Sequence, residues 1–281
     1  RSLGATEWLS ARQTREVLPT VRAQGLSGGI QYWDAQFDDA RLAVTLAPTA
    51  IGLGAVVLNH VPVDGLVRQQ GKVAGVLAHD AETGERFELR AACVVNATGV
   101  WVDALRDIDQ DEGAAQRAPM VAPSQGTHIV VDRSFLPGQH ALMVPHTRDG
   151  RVLFVVPWLG HTILGTTDTP RNDLAAEPEP FRADVDFILG EAGRYLERTP
   201  TRADIRSIWV GLRPLVRAPD DDAGPTRKLS REHTVRVGRS GLVTVTGGKW
   251  TTYRAMAEDV LEHCMDAGLL PRSAAGRTEH L

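Results

Sequence analysis

Leu242 to Arg254 reads LVTVTGGKWTTYR: an apolar strand-like run, two adjacent glycines, a lysine and a pair of threonines. Beyond the glycines, Tyr253, Met256, Ala257, Val260, Leu261 and Cys264 recur at helical spacing, a stripe that reads as core. A strand that passes to a helix through a glycine turn aims free backbone N–H groups and a helix N-terminus at whatever lies above it. That arrangement suits an electron-rich or anionic ligand. Two arginines accompany it, Arg213 in GLRPL (Gly211 to Leu215) and Arg231. With Lys249 they suggest a site for a small phosphorylated molecule. The plainer alternative is a turn before a surface helix, with scattered solvated charges.

Upstream, Cys93 to Asn96 predicts another short buried strand, which ends in Ala97-Thr98-Gly99 and leads to a helix from Val100. Asp38 and Asp39 offer an N-cap for a helix carrying Leu42, Ala43, Leu46 and Ala50, with Pro48 set to bend or shorten it. A strand from Ala55 (AVVLN) is expected next. Val61 to Val67, Lys72 to His79 and Arg86 to Arg90, separated by Gln70-Gly71 and Thr83-Gly84 turn signals, then read as an antiparallel meander. The order of helix, strand, meander, strand and glycine turn matches the later portion of a dinucleotide-binding domain. Gly52 and Gly54 form a lone GxG before a strand, and read as a helix-ending turn.

After Asp107 the composition shifts, and Pro119 and Pro123 mark a second region. His128 to Val131, Ala141 to Val144, Val152 to Pro157 and Thr162 to Gly165 predict a mainly antiparallel sheet. Phe181 to Arg198 predicts an amphipathic helix with Val185, Ile188, Leu189, Ala192 and Leu196 on one face. Strands are expected at Ile205 to Val210 and His233 to Val237.

A chain of 281 residues with 42% apolar and 23% charged residues can bury a real core, and a formal charge of −4 creates no field that would gather nucleic acid. Cys93 and Cys264 are far apart in sequence, and Cys93 in ACVVN reads as a small buried hydrophobe. Neither a disulfide scaffold nor a metal site follows. His60, His79, His140, His146 and His161 lack metal-ligand spacing. No apolar run has the length to cross a bilayer, and the first ten residues lack the apolar core of a signal peptide. The chain reads as intracellular and soluble, or bound at a membrane surface.

Seven stretches in order, GGIQYWDAQFDDARL, VVNATGVWVDAL, MVAPSQGTHIVVD, RVLFVVPWLGHTILGTTDTP, GLRPL, SREHTV and GGKWTTYR, resemble the FAD-dependent glycerol-3-phosphate dehydrogenases of the D-amino-acid-oxidase-like superfamily. The resemblance implies an α/β fold class with α+β character: a partial FAD-binding Rossmann-like domain over residues 1–118, a substrate-binding, mainly antiparallel sheet over 119–215, and a return to the FAD-binding domain with a final helix over 216–281. The family's opening strand, GxGxxG turn and helix are not in this sequence, nor are its early arginine-tyrosine segment and its C-terminal helical domain.

The resemblance implies that Arg213 and Arg231 bind the substrate phosphate, a task for which planar, permanently charged guanidinium forks are suited. It implies that His128 is the active-site histidine, with an ordinary pKa near 6.5 that lets it take a proton at working pH. It sets Lys249 beside flavin and substrate, where it would stabilise negative charge. Thr98, Gly99, Gly247, Gly248, Thr251 and Thr252 match cofactor-binding turns, and Val61 matches, loosely, a position whose backbone meets the adenine. The plain alternatives are an Arg213 paired with a carboxylate, a satisfied core histidine, a solvated lysine and, for Asp168 in GTTD, a turn aspartate.

The implied activity is oxidation of sn-glycerol 3-phosphate to dihydroxyacetone phosphate with electrons passed to a quinone, in a cytoplasmic protein peripheral to the inner membrane. The alternatives are an oxidase that uses oxygen, and a truncated, noncatalytic domain of such an enzyme. Without the first βαβ unit the chain is expected to bind FAD weakly or not at all, and dimerisation or a partner chain is one way to cover the exposed apolar surface.

Overall fold

The computed structural model describes residues 3–110, 117–217, 232–274, 276 and 278. In chain order the first elements are β1 (Glu7–Ser10), α1 (Ala11–Val17), β2 (Gly28–Gln31), α2 (Asp39–Gly52), β3 (Val63–Gln69), β4 (Lys72–His79), β5 (Arg86–Arg90), β6 (Val95–Asn96) and α3 (Val102–Ile108). Next come β7 (Val121–Asp132), β8 (Leu142–Val144), β9 (Leu153–Trp158), β10 (His161–Gly165), β11 (Thr169–Pro170) and α4 (Arg182–Tyr195). The last are β12 (Ser207–Val216), β13 (His233–Val237), β14 (Val243–Gly247) and α5 (Tyr253–Asp266). They form two compact units: unit 1 is Arg1–Gln36 with Pro123–Arg213, and unit 2 is Phe37–Ala122 with Pro214–Leu281.

Unit 1 is built on an antiparallel sheet in the order β11-β7-β10-β9-β8, with β12 also paired to β7. The apolar stripe legible in the sequence, Val185, Ile188, Leu189, Ala192 and Leu196, is the buried face of α4, and it packs with Ile129, Val131, Val155 and Leu164 of the sheet. Burying each large aliphatic side chain stabilises by about 1.5–3 kcal/mol relative to exposure, so this stripe decides where the helix lies. Residues 3–36 belong to this unit too, although the resemblance implied a single domain over 1–118. Leu18 and Val21 enter the same core, and Arg22 N–H donates to the Tyr195 carbonyl at 2.7 Å. The strand expected at His128 is also longer, beginning at Val121. Its polar residues Ser124, Gln125 and Thr127 are buried, which a strand tolerates when each finds a hydrogen-bond partner.

Unit 2 holds the sheet β13-β14-β6 and the meander β3-β4-β5. β14 and β6 are parallel, with Val243 opposite Val95 and Thr244 opposite Asn96. Each of these strands leaves through a glycine turn into a helix, β6 into α3 and β14 into α5. Buried Asn96 fixes the first turn, donating to the Val102 carbonyl at 2.9 Å and accepting from the Thr98 hydroxyl at 2.8 Å. Asp38 caps α2 through the Arg41 N–H at 2.9 Å, and the helix runs through Pro48 without ending there. The strand expected from Ala55 does not form. Ala55 to Leu58 runs unpaired among the described residues, with Val56 84% exposed, because an apolar run becomes a strand only beside a hydrogen-bonding neighbour. Cys93 and Cys264, distant in sequence, meet as free thiols with sulfurs 3.6 Å apart. Burial, and then the neighbouring Cys264 thiol, push the Cys93 thiol up to about 11.

Candidate functional site

The sheet of unit 1 turns one face to α4, and strand alternation puts a different set of residues on the other. Ile129 and Val131 point to α4, so Gly126, His128 and Val130 belong to the second face. Gly165 of β10 lies opposite both His128 of β7 and Phe154 of β9, which makes a row across that face. A Cβ at Gly165 would stand 2.4 Å from His128 Cδ2, so this glycine is what gives the imidazole its room. From β12, Trp209 stacks on the His128 ring with centroids 5.2 Å apart and planes 12° from parallel. The ring is thereby held flat against an aromatic wall.

Four residues further along β12, on the same face, stands Arg213. A Cβ on Gly126 would lie 2.3 Å from its Nη2, so the guanidinium lies against bare backbone. Nη1 donates to the Thr167 carbonyl at 3.0 Å and Nη2 to the Thr166 hydroxyl at 3.1 Å. The structure thus brings His128 and Arg213 to the same segment, Gly165 to Thr167, one a titratable ring and the other a fixed cation.

A buried carboxylate that sequence reasoning missed holds that segment in place. Asp184, in the first turn of α4, accepts from the hydroxyls of Thr127 and Thr167 at 2.9 Å each and of Thr169 at 2.8 Å. Asp168 is fastened to β7 by the Ser124 hydroxyl, and Arg171 reaches from its Asp173 pair to Gln125. The signal was present: Asp184 precedes Ile188 by four residues, so it sits within the apolar stripe of α4. A carboxylate there needs partners, and the threonines supply them.

In unit 2 the two glycine turns lie at the carboxyl ends of neighbouring parallel strands. Gly247 and Gly248 have φ of 79° and 77°. A Cβ on Gly247 would meet Val216 Cγ2 at 2.5 Å, and one on Gly248 would meet Met256 Sδ at 2.5 Å, so only glycine serves at either position. Gly99, with φ 62°, has open space where its Cβ would be. Lys249 is exposed, and its carbonyl accepts from Thr252 N–H at 2.9 Å and from the Thr252 hydroxyl at 3.0 Å. Neither helical turn that follows, at Gly99–Trp101 or Trp250–Thr252, has a side-chain cap. The Thr246 hydroxyl, just before the glycine pair, is buried without a hydrogen-bond partner among the described residues.

His128 and Arg213 therefore belong to unit 1, and Thr98, Gly99, Gly247, Gly248, Lys249, Thr251 and Thr252 to unit 2. Val61, half-buried, lies two residues before β3. Arg231 lies outside the described residues.

The sequence matches the family described as FAD dependent oxidoreductase over residues 1–254. It is 41% identical over 277 residues to a mitochondrial glycerol-3-phosphate dehydrogenase of Arabidopsis thaliana, covering 96% of this chain and 43% of that protein. Against the mitochondrial glycerol-3-phosphate dehydrogenase of Homo sapiens it is 41% identical over 261 residues, covering 90% of this chain and 35% of that one. The chain thus spans less than half the length of these relatives. Among solved structures, the glycerol-3-phosphate dehydrogenase of Bacillus halodurans complexed with FAD superposes with a TM-score of 0.80 at 33% identity, over 96% of this chain and 53% of that one. The L-α-glycerophosphate oxidase of Mycoplasma pneumoniae shares the fold, with a TM-score of 0.66 at 19% identity over 93% of this chain and 65% of that chain.

Proposed function

The chain belongs to the family of FAD-dependent oxidoreductases, and on that ground we propose that it serves the oxidation of sn-glycerol 3-phosphate to dihydroxyacetone phosphate. The observation that carries this reading is the pairing, on one sheet face, of Arg213 over Gly126 with His128 against Trp209. Identity of about two-fifths to proteins named for that substrate supports it over nine-tenths of the chain or more.

Arg213 grips the substrate phosphate: its planar fork is already oriented by Thr166 and Thr167, so little freedom is lost on binding. His128 takes the hydroxyl proton as the alcohol carbon becomes a carbonyl, and its stacked ring is fixed for that role. Arg231 is the second phosphate-binding residue in this proposal. The turns of unit 2 fit FAD: the open space at Gly99, the uncapped helical turns and the unpartnered Thr246 hydroxyl leave polar groups free to meet a polar cofactor. Thr98, Gly99, Gly247, Gly248, Thr251 and Thr252 would hold it, with Val61 at the adenine and Lys249 beside the flavin. When bound, FAD supplies the two-electron acceptor for the substrate's hydride.

A membrane quinone is the proposed electron acceptor, which makes this a peripheral membrane protein. No helix among the described residues is long and apolar enough to cross a membrane. The test is turnover of sn-glycerol 3-phosphate by the purified, FAD-supplemented protein, with a quinone analogue or with oxygen as acceptor. Quinone-dependent formation of dihydroxyacetone phosphate that falls about 100-fold in His128→Ala supports the reading. Absence of substrate-dependent turnover with either acceptor contradicts it, and turnover with oxygen alone moves it to an oxidase.

A further inference from the structure

Unit 2 contains a second concave site, at the other end of β14 from its glycine turn. The turn between β3 and β4, the end of α3 and the turn between β13 and β14 enclose a cavity of about 520 Å³. Among the described residues its charged lining is Arg68, Arg106, Arg117, Arg236 and Arg239 against one carboxylate, Asp109. Asp109 is buried and already committed: Arg68 reaches it at 3.0 Å, the Ser240 hydroxyl at 2.8 Å and Arg117 at 3.7 Å. Arg106 is paired with Asp103. Arg236 and Arg239 are exposed and have no ion-pair partner among the described residues.

Five guanidiniums here share two carboxylates among the described residues, Asp109 and Asp103, both already committed, and each further cation raises the repulsion felt by the others. The carbonyls at the end of α3 attract a cation or two, but α3 has only seven residues and a helix terminus acts over a single turn. An anion with several charges removes the repulsion. Guanidinium forks match phosphate oxygens pairwise, and the cavity lies within the size range of small-molecule sites. No aromatic side chain among the described residues lines it, so they offer no platform on which a base would stack.

We propose that this pocket binds an anion bearing two or three phosphate groups, recognised through those phosphates by Arg236 and Arg239 together with Arg68 and Arg117. It lies at the amino end of β14, whereas Gly247 and Gly248 lie at the carboxyl end, so it is a site separate from the glycine turns. Because it draws on three segments of unit 2, its ligand stabilises that unit by mass action.

The experiment is calorimetric titration of the 281-residue chain at fixed ionic strength with sodium tripolyphosphate and with monophosphate, paired with sedimentation on phosphatidylcholine vesicles with and without phosphatidylinositol bisphosphate. The expected result is saturable one-to-one binding of tripolyphosphate, at least tenfold tighter than monophosphate. It weakens at least tenfold in Arg236→Ser/Arg239→Ser and stays within twofold in Arg41→Ser/Arg86→Ser, which changes net charge equally. Vesicle binding that requires the bisphosphate lipid and is lost in the same double variant assigns the phosphates to a lipid headgroup; binding in solution alone assigns them to a free metabolite. Absence of saturable binding to either probe, or equal weakening in the two double variants, overturns the proposal. Circular dichroism of each variant, with Arg239→Ser alone as a milder substitution, keeps the comparison to folded protein.

Discussion

The two units spend their apolar residues differently. Among the described residues, unit 1 gathers fifteen buried side chains into one cluster between its sheet and α4, whereas unit 2 has two small clusters of three. In unit 2, α2 has no buried residue at all, with Val44 72% and Ile51 53% exposed. A sheet packed on a helix is one cooperative body that can hold a histidine and an arginine in fixed positions. The glycine turns of unit 2 rest on smaller apolar clusters, so an opening there should cost less. In the proposed function, rigid positioning serves His128 and Arg213 in unit 1, and adaptability serves the turns of unit 2 proposed to hold the cofactor.

Core truncation gives the largest contrast. Ile188→Ala in unit 1 should lower the free energy of unfolding by about 3–5 kcal/mol in urea titrations, against less than about 0.5 kcal/mol for Val44→Ala on α2. Equal costs would break the comparison. Next comes the buried brace. Asp184→Asn removes the charge that three threonine hydroxyls share, and should cost about 2–3 kcal/mol while loosening the segment that orients Arg213.

A pH effect sharpens the contrast further. Burial raises the pKa of Glu191, but the guanidiniums of Arg148 and Arg194 outweigh it and hold the carboxyl below its ordinary value of 4.5. A depressed folded-state pKa means that this group stabilises unit 1 above pH 4.5 and that the contribution is lost as pH falls through the folded value. Acid titration of stability should therefore be steeper for the parent chain than for Glu191→Gln, and identical slopes would exclude this pair. The smallest effect concerns Cys93. With its thiol pushed up to about 11, alkylation by iodoacetamide at neutral pH should be slower than for an ordinary exposed thiol and should rise steadily toward that pH.

Much of the architecture was legible because it rests on local patterns. The strands Lys72–His79, Arg86–Arg90 and His233–Val237 begin and end where alternation and turn residues put them. The buried stripe of α4 is also the one its spacing shows. What escaped depended on distant partners. The polar start of β7 looks like a loop until Asp184, Asp168 and Arg171 are seen to satisfy it. Pro214 hides the continuation of β12, and the membership of residues 3–36 rests on Leu18, Val21 and a backbone bond to Tyr195. Ala55 to Leu58 failed in the opposite sense, as strand-like letters with no neighbouring strand. Of the site, His128 and Arg213 could be named from their motifs, but their sharing of one sheet face is a matter of register that no spacing of letters displays.

The central claim is that the rigid sheet face of unit 1 grips the substrate's phosphate through Arg213. Its most direct test is the ratio of kcat/KM for sn-glycerol 3-phosphate to that for glycerol, in the FAD-supplemented protein and in Arg213→Gln. The account predicts that the ratio falls about 100-fold, or roughly 3 kcal/mol, with activity toward glycerol unchanged. An unchanged ratio in a folded variant would contradict it.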